Sequence, residues 1–162
     1  MADKTNHGPA HRQRLNLKGE HHRITGAFLA LPLVLLLGCG QKQASRREVQ
    51  SALLKSISLA SESEIFIQYL GQGRSTSNFA LGHLQYLRDE ITRTISDNSK
   101  LNTPPSPAPL TNALAIDNFQ LRSLQQEVDA SRQSSGQPSA LDASAQRIRE
   151  IRITLQKANS SL

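Results

Sequence analysis

Four stretches of the chain repeat apolar residues at helical spacing, and one short stretch is largely apolar. The first repeat places Val49, Leu53, Ile57, Ala60 and Ile67 on one face, flanked by Leu54, Phe66 and Leu70, and predicts a helix over 45–70. Glu64 interrupts this stripe, so a bend or fraying is expected there. Ser61-Glu62-Ser63-Glu64 matches a capping box that would restart a helix, although one continuous helix is the simpler expectation. Gly71-Gln72-Gly73 supplies a left-handed termination. The second repeat, Ala80, Leu84, Leu87, Ile91 and Ile95, is widened by Phe79 and Tyr86; Ser75, Thr76 or Ser77 caps it, and Asp97-Asn98-Ser99 closes it.

The third repeat, over 111–133, uses Leu114, Leu121, Leu124 and Val128, with Asp117 in the same row and Phe119 beside it. Ser134 to Pro138 reads as a turn, after which Ser139 is the expected cap of a fourth helix lined by Leu141, Ala145, Ile148, Ile151 and Leu155. Ile151 to Leu155 also alternates as a strand would. The flanking AQRIRE and LQKA favour helix, and the last residues, 158–162, should fray. Between the second and third repeats, residues 98–110 carry four prolines from Pro104 to Pro109, a composition suited to a semi-rigid crossover in extended geometry. The expected fold is all-α: two helical hairpins joined by this crossover, forming a small four-helix bundle over 46–162. Its stripes are narrow, rich in alanine and poor in aromatics. Stability should therefore be marginal, which makes a partner subunit or elongated hairpins credible.

The largely apolar stretch is Ile24–Leu37, 14 residues without a charge, rich in leucine and interrupted by Gly26 and Pro32. As a helix it would span roughly 21 Å, short of a hydrocarbon core of roughly 30 Å. Arg12, Arg14, Lys18 and Arg23 precede it, the arrangement of a secretory signal. Gln13 splits the arginines, so a twin-arginine signal is absent and the general secretory route is expected. The run ends in Leu36-Leu37-Gly38-Cys39, which resembles the lipobox of bacterial prolipoproteins. That resemblance implies diacylglycerol on the Cys39 sulfur, cleavage between Gly38 and Cys39 by signal peptidase II, and acylation of the new amino group. Residues 1–38 would then be a cleaved signal peptide and residues 39–45 a lipidated tether. The membrane would be one partner, held through Cys39, and an envelope protein a candidate second one. Gly40 stands where the resemblance would expect aspartate for inner-membrane retention, so the outer membrane is favoured in a host with two membranes. The other reading of Ile24–Leu37 is an uncleaved membrane anchor ending in an ordinary cysteine.

The 23 residues before Ile24 are long for such a leader, and a start near Leu15 would leave Lys18 and Arg23 as a compact basic flank. His7, His11, His21 and His22 then belong to a discarded leader and not to a metal site. The tether GQKQAS reaches at most about 20 Å, which brings Arg46 and Arg47 near the headgroups. They would there either meet anionic lipid or remain two solvated charges at a helix start.

Composition narrows the chemistry. Of 19 Lys and Arg and 13 Asp and Glu, residues 1–38 take five and two, leaving 14 and 11 over the rest. This is too dilute for a nucleic-acid footprint, and no nucleic acid is expected as a partner. One cysteine closes no intrachain disulfide and builds no CxxC zinc site. GQGRST after a helix lacks the spacing of a phosphate-binding loop. The single histidine after residue 38, His83, sits beside an apolar stripe as a shoulder residue. The acidic neighbours Glu62/Glu64, Asp89/Glu90 and Glu127/Asp129 do not share a helix face, so they make poor metal clamps or acid–base pairs. Arg147, Arg149, Arg152 and Lys157 form the densest basic cluster, expected as a solvated face paired with Glu150 or as a weak anion contact. No catalytic, cofactor or metal residue is expected. The predicted role is a non-catalytic structural or partner-binding lipoprotein; the alternative is a periplasmic helical binder of a small apolar ligand, recognisable by a pocket between the helices with convergent polar groups.

Overall fold

The computed structural model describes residues 43–101 and 108–162. Four helices account for nearly all of them: α1 Arg46–Gly71, α2 Ser77–Ser99, α3 Ala108–Gln133 and α4 Pro138–Ser160. There is no strand among the described residues. Cys39, the cleavage site at Gly38 and the apolar run Ile24–Leu37 lie outside the described residues.

Short turns join α1 to α2 and α3 to α4, which makes each pair antiparallel. Lys55 of α1 faces Glu90 of α2, and Glu62 faces His83. The same opposed sense holds between α2 and α3, where Asn98 meets Asp117 and Arg88 meets Asp129. It holds again between α4 and α1, where Arg149 reaches Glu64 and Gly71 lies beside Leu141. The result is a four-helix bundle in which the backbones of α1 and α3 approach closely across one diagonal, while those of α2 and α4 do not across the other. The broadest interface is α1 with α4, and the thinnest is α1 with α2.

The predicted stripes form the interior, except that Ile57 and Ile95 are only partly buried and the flanking Leu54, Phe79 and Tyr86 are exposed. Val49, Leu53 and Ile67 of α1, Leu84, Leu87 and Ile91 of α2, Leu121, Leu124 and Val128 of α3, and Ile148 and Leu155 of α4 are all fully buried. Burying side chains of this size contributes about 1.5–3 kcal/mol each relative to exposure. Ala60, Ala80, Ala113 and Ala145 fill the positions between them and let the helices approach closely.

The continuity expected of α1 holds, and helix boundaries depart from expectation in three places, at the start of α3 and at both ends of α4, each for a local reason. α1 runs without a break through Glu64, and the capping box forms at its true start: the Ser45 hydroxyl accepts from the Glu48 N–H at 3.3 Å while the Glu48 carboxylate accepts from the Ser45 N–H at 2.6 Å. Ser61, offered as a restart, instead donates back to the Ile57 carbonyl at 2.8 Å. α3 begins at Ala108, before the expected Thr111, because Pro109 lies in the first turn, where a missing N–H costs no helical hydrogen bond. α4 is capped by Gln137 without a side-chain hydrogen bond and has Pro138 at its first position, so Ser139 is already inside the helix. α4 then continues to Ser160 because Ala158 is buried against the core. Thr76 is the cap of α2, as one of three expected residues, and Gly73, just after the cap of α1, takes the positive φ of 67° that terminates that helix.

Phe119 and Leu121 separate surface from core. Leu121→Ala should lower unfolding free energy by about 2–5 kcal/mol in urea titrations. Phe119→Ala, at a position 66% exposed, should stay within about 0.5 kcal/mol of the parent. Equal losses would contradict this packing.

Candidate functional site

Among the depressions between helices on the described surface are three that open broadly to solvent. Those between α2 and α3, of ≈ 460 Å³, and between α3 and α4, of ≈ 390 Å³, are lined chiefly by charged and amide side chains such as Arg88, Asp129, Glu127 and Arg147. The third lies where α1 and α2 pack most thinly. It is an apolar groove of ≈ 510 Å³, walled by Ser58, Ser61, Glu62, Ile65, Phe66 and Tyr69 of α1 and by His83 of α2.

Four of the five aromatic residues of the described chain converge on this groove. Phe66 lies 4.1 Å from His83 and 6.0 Å from Phe79, ring centre to ring centre; Tyr69 is 6.4 Å from Phe66, and Tyr86 is 5.6 Å from His83. Arg74, in the turn, places its guanidinium 5.5 Å from the Tyr69 ring centre. Phe79 and Tyr86 are about half exposed, so the patch is apolar and wetted. The sequence marked Phe66, Phe79 and Tyr86 only as flanks of separate stripes. Their convergence depends on the register of α1 against α2, which no single-helix pattern contains.

His83 occupies the predicted shoulder. Its Nε2 lies 3.4 Å from the Glu62 carboxylate, and Ser58 and Ser61 line the same groove. This assembles the residue types of a nucleophilic triad without the geometry. The Ser61 hydroxyl is donated to the Ile57 carbonyl, and the nearby backbone N–H groups are interior to continuous helices, so none is free to stabilise an oxyanion.

The three acidic neighbour pairs splay apart, as their spacing requires. Glu62 faces His83 while Glu64 takes Arg149 and Arg152. Asp89 accepts from Gln85 at 2.7 Å while Glu90 faces Lys55. Glu127 pairs with Arg147 and Asp129 with Arg88. No group of three metal-ligating side chains forms among the described residues.

Two buried carboxylates carry more weight than the sequence reading gave them. Glu64, expected as an interruption, accepts from Arg149 Nε at 2.7 Å and Arg152 Nε at 2.9 Å. The cluster expected as a solvated face paired with Glu150 is therefore partly an interhelical clamp on Glu64. Burial raises the Glu64 carboxyl, and the two guanidinium hydrogen bonds with their charges more than offset it, leaving its pKa below the ordinary value. Asp117 is fully buried where α1, α2 and α3 meet. Its Oδ2 accepts from Asn98 Nδ2 at 2.7 Å, and its Oδ1 has no partner. Burial pushes its pKa from 3.8 to about 6, against weaker opposing effects of Ser56 and Asn98.

Comparison with known protein families, characterised proteins and solved structures returns no match. Among the described residues the protein is a four-helix bundle with an exposed aromatic groove between α1 and α2.

The two carboxyls predict opposite pH slopes. Asp117 holds its proton more tightly when folded, so its contribution to stability falls as pH rises from about 4 to about 6. Glu64 holds its proton less tightly when folded, so its contribution is lost as pH drops below about 4.5. Asp117→Asn, which keeps an acceptor for Asn98, should abolish the decline between pH 4 and 6 and stabilise the fold at pH 7 by about 1–3 kcal/mol. Denaturant midpoints across this range test it. An unchanged slope in the variant would contradict the assignment.

Proposed function

We propose that this protein is a small envelope lipoprotein, anchored through a lipidated Cys39, whose helical bundle has a non-catalytic structural or partner-binding role. The observation that carries the reading is Leu36-Leu37-Gly38-Cys39 at the end of a 14-residue apolar run with a basic flank. Two further features support it. A capped helix begins at Arg46, so only residues 40–45 separate the anchor from rigid structure. Among the described residues no helix is long and apolar enough to cross a membrane, so the bundle itself does not provide membrane attachment of that kind. Three acyl chains, at roughly 0.8 kcal/mol per buried CH₂, hold far more tightly than one.

A non-catalytic role is favoured by the way Glu62, Glu64, Glu90, Glu127 and Asp129 each take a basic partner on a neighbouring helix. In a two-membrane host, Gly40 favours the outer membrane. The second reading, a binder of a small apolar ligand, is favoured by the groove beside Phe66 and Tyr69. That groove is at the surface, whereas the interior is occupied by leucine and isoleucine side chains.

The test is the intact mass of the membrane-extracted protein beside a Cys39→Ala variant. The proposal predicts loss of residues 1–38 and a lipid increment, both absent in the variant. A full-length, unlipidated mass in both proteins would overturn it and leave Ile24–Leu37 as an uncleaved anchor.

A further inference from the structure

The outward face of α1 carries two large apolar residues that the bundle does not use, Leu54 at 53% and Ile65 at 67% exposure. Between them on the same face lie Ser58 and Ser61. The four positions are separated by four, three and four residues, the 3.5-residue period of a coiled-coil seam. The spacing is also palindromic about the midpoint between positions 59 and 60. Laid antiparallel on itself about that point, the seam brings Leu54 against Ile65 of the second copy, and Ser58 against Ser61. The small residues at the centre permit a close approach of the two helix backbones, within the usual 8–10 Å between axes. Each large residue then packs on a large residue, with the serines opposite each other.

Charge follows the same symmetry. Lys55 and Glu62 lie one heptad apart, on the α2 side of this face. Antiparallel pairing sets Lys55 close to Glu62 of the second copy, and its own Glu62 close to the other Lys55. Their partners within the chain are loose: Lys55 is 4.0 Å from Glu90, and Glu62 is 3.4 Å from His83. The seam also forms one wall of the apolar groove, so a second α1 would cover part of Phe66 and Tyr69. A twofold interface requires self-complementarity of this kind, in which residue i meets j and j meets i.

We propose that the outward face of α1 is a self-association seam, on which a second copy of this chain packs antiparallel about a twofold axis between Ser58 and Ser61. The proposal goes beyond the lipoprotein reading and does not depend on it. If both chains are lipidated, their tethers begin roughly 40 Å apart and the paired helices lie along the bilayer.

The test uses the full chain isolated in mild detergent in a Cys39→Ala background, so that an introduced cysteine is the only thiol. Leu54→Cys and Ile65→Cys are made separately and treated with a short bismaleimide, alone and after mixing. In the antiparallel register two Leu54 positions are roughly 16 Å apart along the axis, whereas Leu54 is opposite Ile65. The mixture should therefore give several-fold more crosslinked dimer than either variant alone. Light scattering should show twice the monomer mass for the parent and a monomer for Ile65→Glu, with unchanged helix content. A monomeric parent, a Leu54–Leu54 crosslink as strong as the mixed one, or a dimer that survives Ile65→Glu would overturn the proposal. Because every variant lacks Cys39, this outcome is separate from that of the lipidation test.

Discussion

The closure of α1 on α4 is the contact on which the rest of the bundle depends. It joins the first helix to the last, and it is the widest interface in the structure. The α1–α2 hairpin is held by a much thinner one, so α2 is located as much by α3 as by its own hairpin partner. Without α4, α1 would lose its main apolar partner and the two hairpins would be joined chiefly through α2 and α3. At this closure Gly71 lies against Leu141 and Asp142, where an added Cβ would approach the Asp142 carboxylate to 3.2 Å. Further along, Glu64 is clamped by two arginines from successive turns of α4. A carboxylate withdrawn from water costs several kcal/mol unless it is paired, and this pairing fixes the register of α4 against α1.

A lean interior makes that register matter. Leucine, isoleucine, valine and alanine make up nearly all of the buried apolar set, with Phe66 its one aromatic member. Of the other aromatic side chains of the described residues, Tyr69, Phe79 and Tyr86 gather at the α1–α2 groove and Phe119 is exposed on α3. The molecule thus has two unlike regions. Its α4 side is closed by apolar packing and an ion-pair clamp, and its α1–α2 side keeps an apolar groove open to solvent. Asp117 works against stability at neutral pH, since its buried carboxyl has one oxygen without a partner.

The helices were legible because each buries a single stripe at helical period, and that stripe is a property of one helix at a time. Val49, Leu84, Leu121 and Ile148 could be placed inside from spacing alone, and the Ile151–Leu155 ambiguity was resolved by its flanks. What the sequence hid lies between helices. Glu64 looked like a flaw in a stripe because its partners are some 85 residues away, on α4. Arg149 and Arg152 looked like a solvated face for the same reason. The aromatic groove was invisible because Phe66 meets His83 and Phe79 only through the α1–α2 register. The cap of α4 was misplaced by two residues because Pro138 starts a helix without a side-chain cap. The lipobox residues Gly38 and Cys39 lie outside the described residues, and their reading rests on the sequence.

The most direct test of the account is native-state hydrogen exchange of the bundle. If α1–α4 closure organises the fold, the amides of Leu53–Ile67 and Ile148–Leu155 should exchange together, at the slowest rate in the chain and with the free energy of global unfolding. α2 should open earlier, beginning at its end nearest Gly73. Slowest exchange confined to α2 and α3, with α1 or α4 opening first, would contradict the account.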